Sequence, residues 1–217
     1  MTRATDGPRR ERVLVLLDAT SAHRGDARLD AYLDALTAAL GDELVIVCRR
    51  PDLAHFRALA PTAAIEAGTS ALRWRGIRML WRQLALPRMA RRHDVDAVHS
   101  PQPPIPLLIA RPRVVTLHEV AAFAGRRGPL GAARRAGVRV AARLADEVVA
   151  PDAQTARAIE EACGFPAQEV LVVPASEDAA RFAAAHRVAY RAAAAMVPAA
   201  TGPITLPTAR GPETPAR

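Results

Sequence analysis

Residues 12–48, RVLVLLDATSAHRGDARLDAYLDALTAALGDELVIVC, spell out a strand, a helix and a second strand. The first element, Arg12 to Leu17, is a short apolar run behind a charged leader, which is how a strand buried on both faces reads. A loop, Asp18 to Asp26, follows. Leu29, Leu33, Leu36 and Leu40 then recur at helical spacing, Gly41 stops the helix, and Leu44 to Cys48 is a second buried run. Such a β-α-β unit implies parallel strands joined by a right-handed crossover.

The alternation continues outward from this unit. A short helix is expected over Asp52 to Leu59, a weak strand near Ala63 to Glu66, and a long amphipathic helix from about Leu72 to Arg92. Val95 to His99 and Arg113 to Leu117 read as strands. Between them lies the proline-rich Ser100 to Pro112, where repeated prolines disfavour a regular helix. A helix from Leu130 to Ala145, a strand at Glu147 to Ala150, a helix from Asp152 to Cys163 and a strand at Val170 to Val173 complete the set. The fold class is α/β: an open, doubly wound parallel sheet. Domain limits are expected as a polar leader over 1–11, one domain over 12–177, an Ala-rich helix over 178–197 and a disordered Pro/Thr/Gly-rich tail over 198–217.

The chain has 217 residues, enough for one full core. Half of them are apolar but only 4% aromatic, so the core is built from Ala, Val and Leu. The formal charge is +8, yet lysine and asparagine are both absent, so every fixed positive side chain is arginine. Arginine with abundant alanine fits the coding bias of a GC-rich genome better than a nucleic-acid surface, which needs arginines clustered among exposed aromatics. No nucleic-acid partner is expected. Cys48 and Cys163 lie far apart and outside C-x-x-C spacing, so neither a zinc site nor a disulfide framework is indicated. The leader lacks the apolar core of a signal peptide, and no apolar run approaches the roughly 20 residues of a membrane span. A cytoplasmic setting, or one peripheral to the inner face of the membrane, is the expectation.

Ligands of open parallel sheets bind beyond the carboxyl ends of the strands. The loops after Leu17, His99 and Leu117 are therefore the candidate site. The first carries Gly25 and Arg28 but no G-x-G-x-x-G, which disfavours nicotinamide and flavin cofactors; no cofactor is expected. Two strands end in histidine, Ala97-Val98-His99-Ser100-Pro101 and Val114-Val115-Thr116-Leu117-His118-Glu119, and both imidazoles are expected to face one cleft. Asp94-Val95-Asp96 has the form of a D-x-D metal clamp, but it precedes a strand, at the edge opposite the ligand, and reads as a turn and cap. His23, His55, His93 and His186 lack partners at ligand spacing and are assigned to the surface; Cys48 is assigned to the core.

Three stretches in order carry a family resemblance: Trp81-Arg82-Gln83-Leu84-Ala85-Leu86-Pro87, Asp94-Val95-Asp96-Ala97-Val98-His99-Ser100-Pro101, and Val114-Val115-Thr116-Leu117-His118-Glu119-Val120. They resemble the N-terminal, acceptor-side half of GT-B glycosyltransferases of retaining family 4, in which a W-E-Q-x-x-L-P helix leads to D-x-x-H-S-P and then T-x-H-D. Gly25 and Arg28 are similar to that family's G-x-G-R loop, and the likeness runs from about Arg12 to Phe182. The departures are Ala27 for the second loop glycine, Arg82 for the glutamate, Glu119 for the aspartate, Pro151 for a strand-end serine and Ser176 for a linker glycine.

The resemblance implies a Rossmann-like fold and glycosyl transfer from a nucleotide sugar, as co-substrate, to a sugar, polyol or lipid-linked acceptor. It implies that His118 touches the donor sugar and that Gly25, Arg28, His99, Ser100 and Glu119 line the cleft. The family's arginine, lysine and donor-binding carboxylate belong to a second domain, and this sequence has no lysine and little length after Pro174. The expectation is a hexosyltransferase-like unit that is inactive without a separate donor-binding domain; the alternative is a non-catalytic binding or regulatory half-domain. The Ala-rich helix after Asp178 is expected to pack on the domain, over surface the missing half would contact.

The helix Arg73 to Arg92 leaves two readings. Its stripe of Trp74, Ile77, Leu80, Trp81 and Leu84 packs on the sheet with Arg73, Arg75, Arg78 and Arg82 solvated, or it lies on an anionic membrane as a peripheral contact. The first is the expectation.

Overall fold

The computed structural model describes residues 12–22, 25–69, 75–118, 128–174 and 178–196. The leader, the tail, Arg73, Trp74, Glu119 and Ser176 lie outside the described residues. In chain order the elements are β1 (Val15–Asp18), α1 (Ala27–Leu40), β2 (Leu44–Arg49), α2 (Leu53–Leu59), β3 (Ala64–Gly68), α3 (Arg75–Arg92), β4 (Ala97–Ser100), β5 (Arg113–Thr116), α4 (Pro129–Leu144), β6 (Glu147–Ala150), α5 (Ala153–Cys163), β7 (Val170–Val172) and α6 (Ala179–Ala195). The strands form one seven-stranded sheet, all parallel, in the order β3-β2-β1-β4-β5-β6-β7. This is the doubly wound α/β arrangement expected, with its topological switch point between β1 and β4.

Alternation along the strands sends neighbouring side chains to opposite faces. Val15 and Leu17 of β1, Leu44, Ile46 and Cys48 of β2, Ala97, Val114 and Val149 share one core with Leu29, Leu33, Leu36 and Leu40 of α1 and with Phe182, Ala189, Tyr190 and Ala193 of α6. On the other face Leu16, Val45, Val47 and Val98 meet Leu86 and Ala90 of α3. Val115, Val148 and Ala150 meet Val138 and Ala142 of α4 and Ile159 of α5. Both faces are covered, so the central strands are mostly apolar on both faces, as all-parallel sheets require, with the buried polar residues Asp18, His99, Ser100 and Thr116 gathered at their carboxyl ends.

Local signals set the helix ends. Asp26, Asp152 and Asp178 cap α1, α5 and α6 by accepting from Leu29, Thr155 and Ala180 backbone amides at 3.1, 2.6 and 2.9 Å. Gly164 ends α5 with φ of +66°, a conformation that favours glycine. The Asp94-Val95-Asp96 stretch is a turn: Asp94 has φ of +47°, and Asp96 Oδ2 accepts from the Leu14 amide at 2.8 Å. Cys48 is fully buried, and desolvation pushes its thiol up to about 11.

The arginine-flanked helix departs from expectation. In α3, Ile77, Leu80 and Leu84 are 47%, 62% and 45% exposed, while Arg82 is buried. Arg82 Nε stands 2.5 Å from Asp18 Oδ2, off the axis a hydrogen bond needs, so the attraction there is Coulombic; its Nη2 donates to Ser21 Oγ at 2.9 Å. Of the stripe, Ile77, Leu80 and Leu84 therefore do not pack on the sheet, whereas Trp81 is partly buried against the core that Leu86 and Ala90 enter. Arg82, the departure from the glutamate of the resembled motif, is balanced by Asp18 at the end of β1. Gln83 ties the proline-rich loop to this helix, donating to Ile105 O at 3.0 Å and accepting from the Leu107 amide at 2.6 Å.

Candidate functional site

A cleft of about 420 Å³ opens beyond the carboxyl ends of β5, β6 and β7. Arg28, Ala31, Tyr32 and Ala35 of α1 line it, with His118, the Pro151-Asp152 turn after β6, Val173 after β7, and Phe182 of α6. The cleft thus lies where open α/β sheets bind ligands, with the C-terminal helix forming part of its wall.

His118 stands two residues past the end of β5. Thr116 and His118 fall on the same face by alternation, so His118 continues that row past the sheet edge. Its ring meets Tyr32 edge to face, with centroids 4.5 Å apart. Desolvation holds its pKa down at about 4, with Asp26 raising it and His186 and Arg28 lowering it, so the imidazole is neutral at pH 7. Its Nε2 is buried and has no hydrogen-bond partner among the described residues. A neutral ring with an unused nitrogen can accept from or donate to a ligand hydroxyl.

The expected pair of cleft histidines is not formed. His99 lies inside β4, opposite Leu17 and Val114 in the sheet register, and α6 covers it completely. Its Nδ1 is 2.8 Å from Tyr190 Oη and its Nε2 is 2.8 Å from Thr116 Oγ1. Ser100 faces away from His99, is buried, and does not line the cleft. Gly25 is exposed with φ of +89°, just ahead of the Asp26 cap, and Arg28 is exposed on the first turn of α1.

His186, assigned to the surface by sequence, is also buried. It lies on α6 between Phe182 and Tyr190, at spacing i−4 and i+4, so these three side chains form a stripe facing the sheet. His186 Nε2 is 2.7 Å from Tyr32 Oη, and its Nδ1 is 3.0 Å from Phe182 O. Tyr32 Oη is also 2.9 Å from Thr116 Oγ1. Sequence reading missed Tyr32, Phe182, His186 and Tyr190. The signal was there in α6, as aromatic and imidazole residues four apart in an alanine helix. His55 and His93 do sit near the surface, paired with Asp34 and Glu66 at 2.7 and 2.8 Å.

No metal-binding group of His, Cys, Asp or Glu occurs among the described residues. No helix there is long and apolar enough to cross a membrane.

A family model described as Glycosyltransferase Family 4 matches residues 31–181. The chain belongs to glycosyltransferase family 4. The matched span includes Tyr32, His99, His118 and the start of α6. The family 4 chain is similar in fold to Anabaena Alr3699/HepE, solved in complex with UDP-glucose, with a TM-score of 0.52 and 15% identity over 75% of this chain and 44% of that one. The same protein in complex with UDP and glucose gives a TM-score of 0.51 at the same identity and coverage. This chain therefore spans less than half the length of the solved relative. No curated protein matches it.

Proposed function

We propose that this family 4 domain is the acceptor-side half of a glycosyl-transfer unit that takes a sugar from a nucleotide sugar, with His118 touching the donor sugar in the cleft. The observation that carries the reading is the buried Nε2 of a neutral His118, without a hydrogen-bond partner among the described residues, at the ligand edge of the sheet, with Arg28 on the same cleft. A neutral imidazole hydrogen-bonds sugar hydroxyls without opposing the positive charge that develops at the anomeric carbon, and an arginine favours the departing diphosphate. Complexes of HepE with UDP-glucose and with UDP and glucose support a nucleotide-sugar co-substrate. The basic and acidic groups that hold the donor are supplied by a second, donor-binding domain.

The test fuses the donor-binding half of HepE to the C-terminus of this full chain, keeping α6, and measures UDP release from UDP-glucose over a panel of sugar, polyol and lipid-linked acceptors. His118→Ala in that chimera is expected to lower turnover by about 100-fold, the scale of removing one preorganised polar contact. Turnover unchanged by the substitution would defeat the assignment of His118.

The exposed stripe of α3 supports a lipid-linked acceptor over a soluble one. Ile77, Met79 and Leu80 lie on the first turns of α3, which follows the carboxyl end of β3 and so starts at the ligand edge; Leu107 and Leu108 are exposed on the loop that Gln83 binds to the helix. α3 carries arginines and no acidic residue. An apolar stripe among arginines fits the surface of an anionic membrane. Sedimentation with vesicles rich in phosphatidylglycerol tests this: protein left in the supernatant at low salt removes the membrane contact.

A further inference from the structure

Hydrogen-bond chemistry orders the buried polar groups under the cleft into a single directed chain. The Phe182 carbonyl can only accept, so His186 Nδ1 carries the proton and Nε2 is left to accept from Tyr32 Oη–H. Tyr32 has then used its hydrogen, so Thr116 Oγ1 donates to Tyr32 Oη. Thr116 in turn accepts from His99 Nε2–H, and His99 Nδ1 accepts from Tyr190 Oη–H. Each donor and acceptor is used once, with neutral imidazoles throughout, consistent with the lowered pKa values of both rings under desolvation. The chain joins α6, β4, β5 and α1, and its fourth member is the tyrosine whose ring abuts His118.

We infer that Tyr32 and His186 are positioning residues for His118, the relay from Tyr190 to the Phe182 carbonyl fixing the Tyr32 ring so that this ring holds the His118 imidazole in the cleft. The inference rests on the proposal that His118 serves the cleft, and it makes the C-terminal helix part of the site. Tyr32 lies between two constraints: its hydroxyl is held from both sides, by Thr116 and His186, and its ring touches Phe182 at 5.9 Å and His118 at 4.5 Å between centroids. Without an acceptor on α6 the hydroxyl loses one anchor, the ring can turn, and water reaches His118. The titratable and charged groups that act on His118 are Asp26, Arg28 and His186, the last through its protonated form.

The experiment is a titration of the histidine Cε1–H resonances by NMR on the unliganded protein, run downward from pH 7 over the range in which circular dichroism shows the fold intact and read from the onset of His118 protonation. His186→Phe keeps an aromatic ring but offers no acceptor, and His118 is expected to titrate about one unit or more higher, toward its ordinary value. His186→Gln likewise removes the titrating imidazole, yet its Oε1 can accept from Tyr32 much as Nε2 does. There His118 is expected to titrate within a few tenths of a unit of the unaltered protein. Tyr32→Phe keeps the ring and loses the hydroxyl, so it gives the upward shift independently if His186→Phe does not fold. An unmoved His118 in folded His186→Phe and Tyr32→Phe, or equal shifts in His186→Phe and His186→Gln, overturns the inference. Because the readout needs no ligand, it stands or falls separately from the turnover test on His118→Ala.

Discussion

Acid should unfold this domain through its imidazoles before its carboxylates. His118 and His186 are each held at about 4 in the folded state, from an ordinary value of 6.5, chiefly by desolvation. A histidine with a lowered folded pKa is neutral in the fold and binds a proton more readily when unfolded. Its contribution is therefore complete above pH 6.5 and is lost as pH falls from 6.5 toward 4. At about 1.4 kcal/mol per pH unit for each proton, the loss by pH 5 is about 2 kcal/mol per imidazole and about 4 kcal/mol for the two. His99, buried and lowered by the same cause, adds in the same direction. Glu147, half-buried and raised by desolvation, acts in the opposite sense and offsets part of this. Domains of this kind have about 5–15 kcal/mol in all, so the effect is large. Urea unfolding followed by circular dichroism at pH 7, 6 and 5 measures it. A change below about 1 kcal/mol between pH 7 and 5 would refute the burial of neutral imidazoles under α6.

Arg82→Ala leaves Asp18 buried beside an empty site and is expected to cost about 3–5 kcal/mol in urea unfolding, whereas Asp18→Asn with Arg82→Gln, which removes both charges, costs less than the single change. Tyr190→Phe deprives His99 Nδ1 of its donor and is expected to lower stability by about 1–3 kcal/mol with the helix content unchanged by circular dichroism. Gly164→Ala forces a side chain into a left-handed cap and should cost about 1 kcal/mol in the same assay. Cys48, fully buried with its thiol raised to about 11, is expected to stay unmodified by a thiol reagent at pH 8 until denaturant is added.

What the sequence determined by itself was the set of elements and their winding. Each strand was legible as a short apolar run and each helix as a stripe at 3.6 spacing, with Asp and Gly marking the ends, because these signals depend on residues within a turn or two of one another. Parallel pairing followed from the alternation of strand and helix. His118 was legible as a ligand-edge residue for the same reason: it falls just past a strand. Tertiary structure alone decided the rest. His99 has the same local setting in sequence, yet one residue more of strand and a helix from the far end of the chain turn it from a cleft residue into a buried member of a relay. Arg82 reads as one more solvated arginine until Asp18 is seen beneath it. His186 reads as a surface residue until α6 docks. Burial and partnership of polar groups arise between residues 17 to 154 positions apart in these hydrogen bonds, and no local pattern encodes which two will meet.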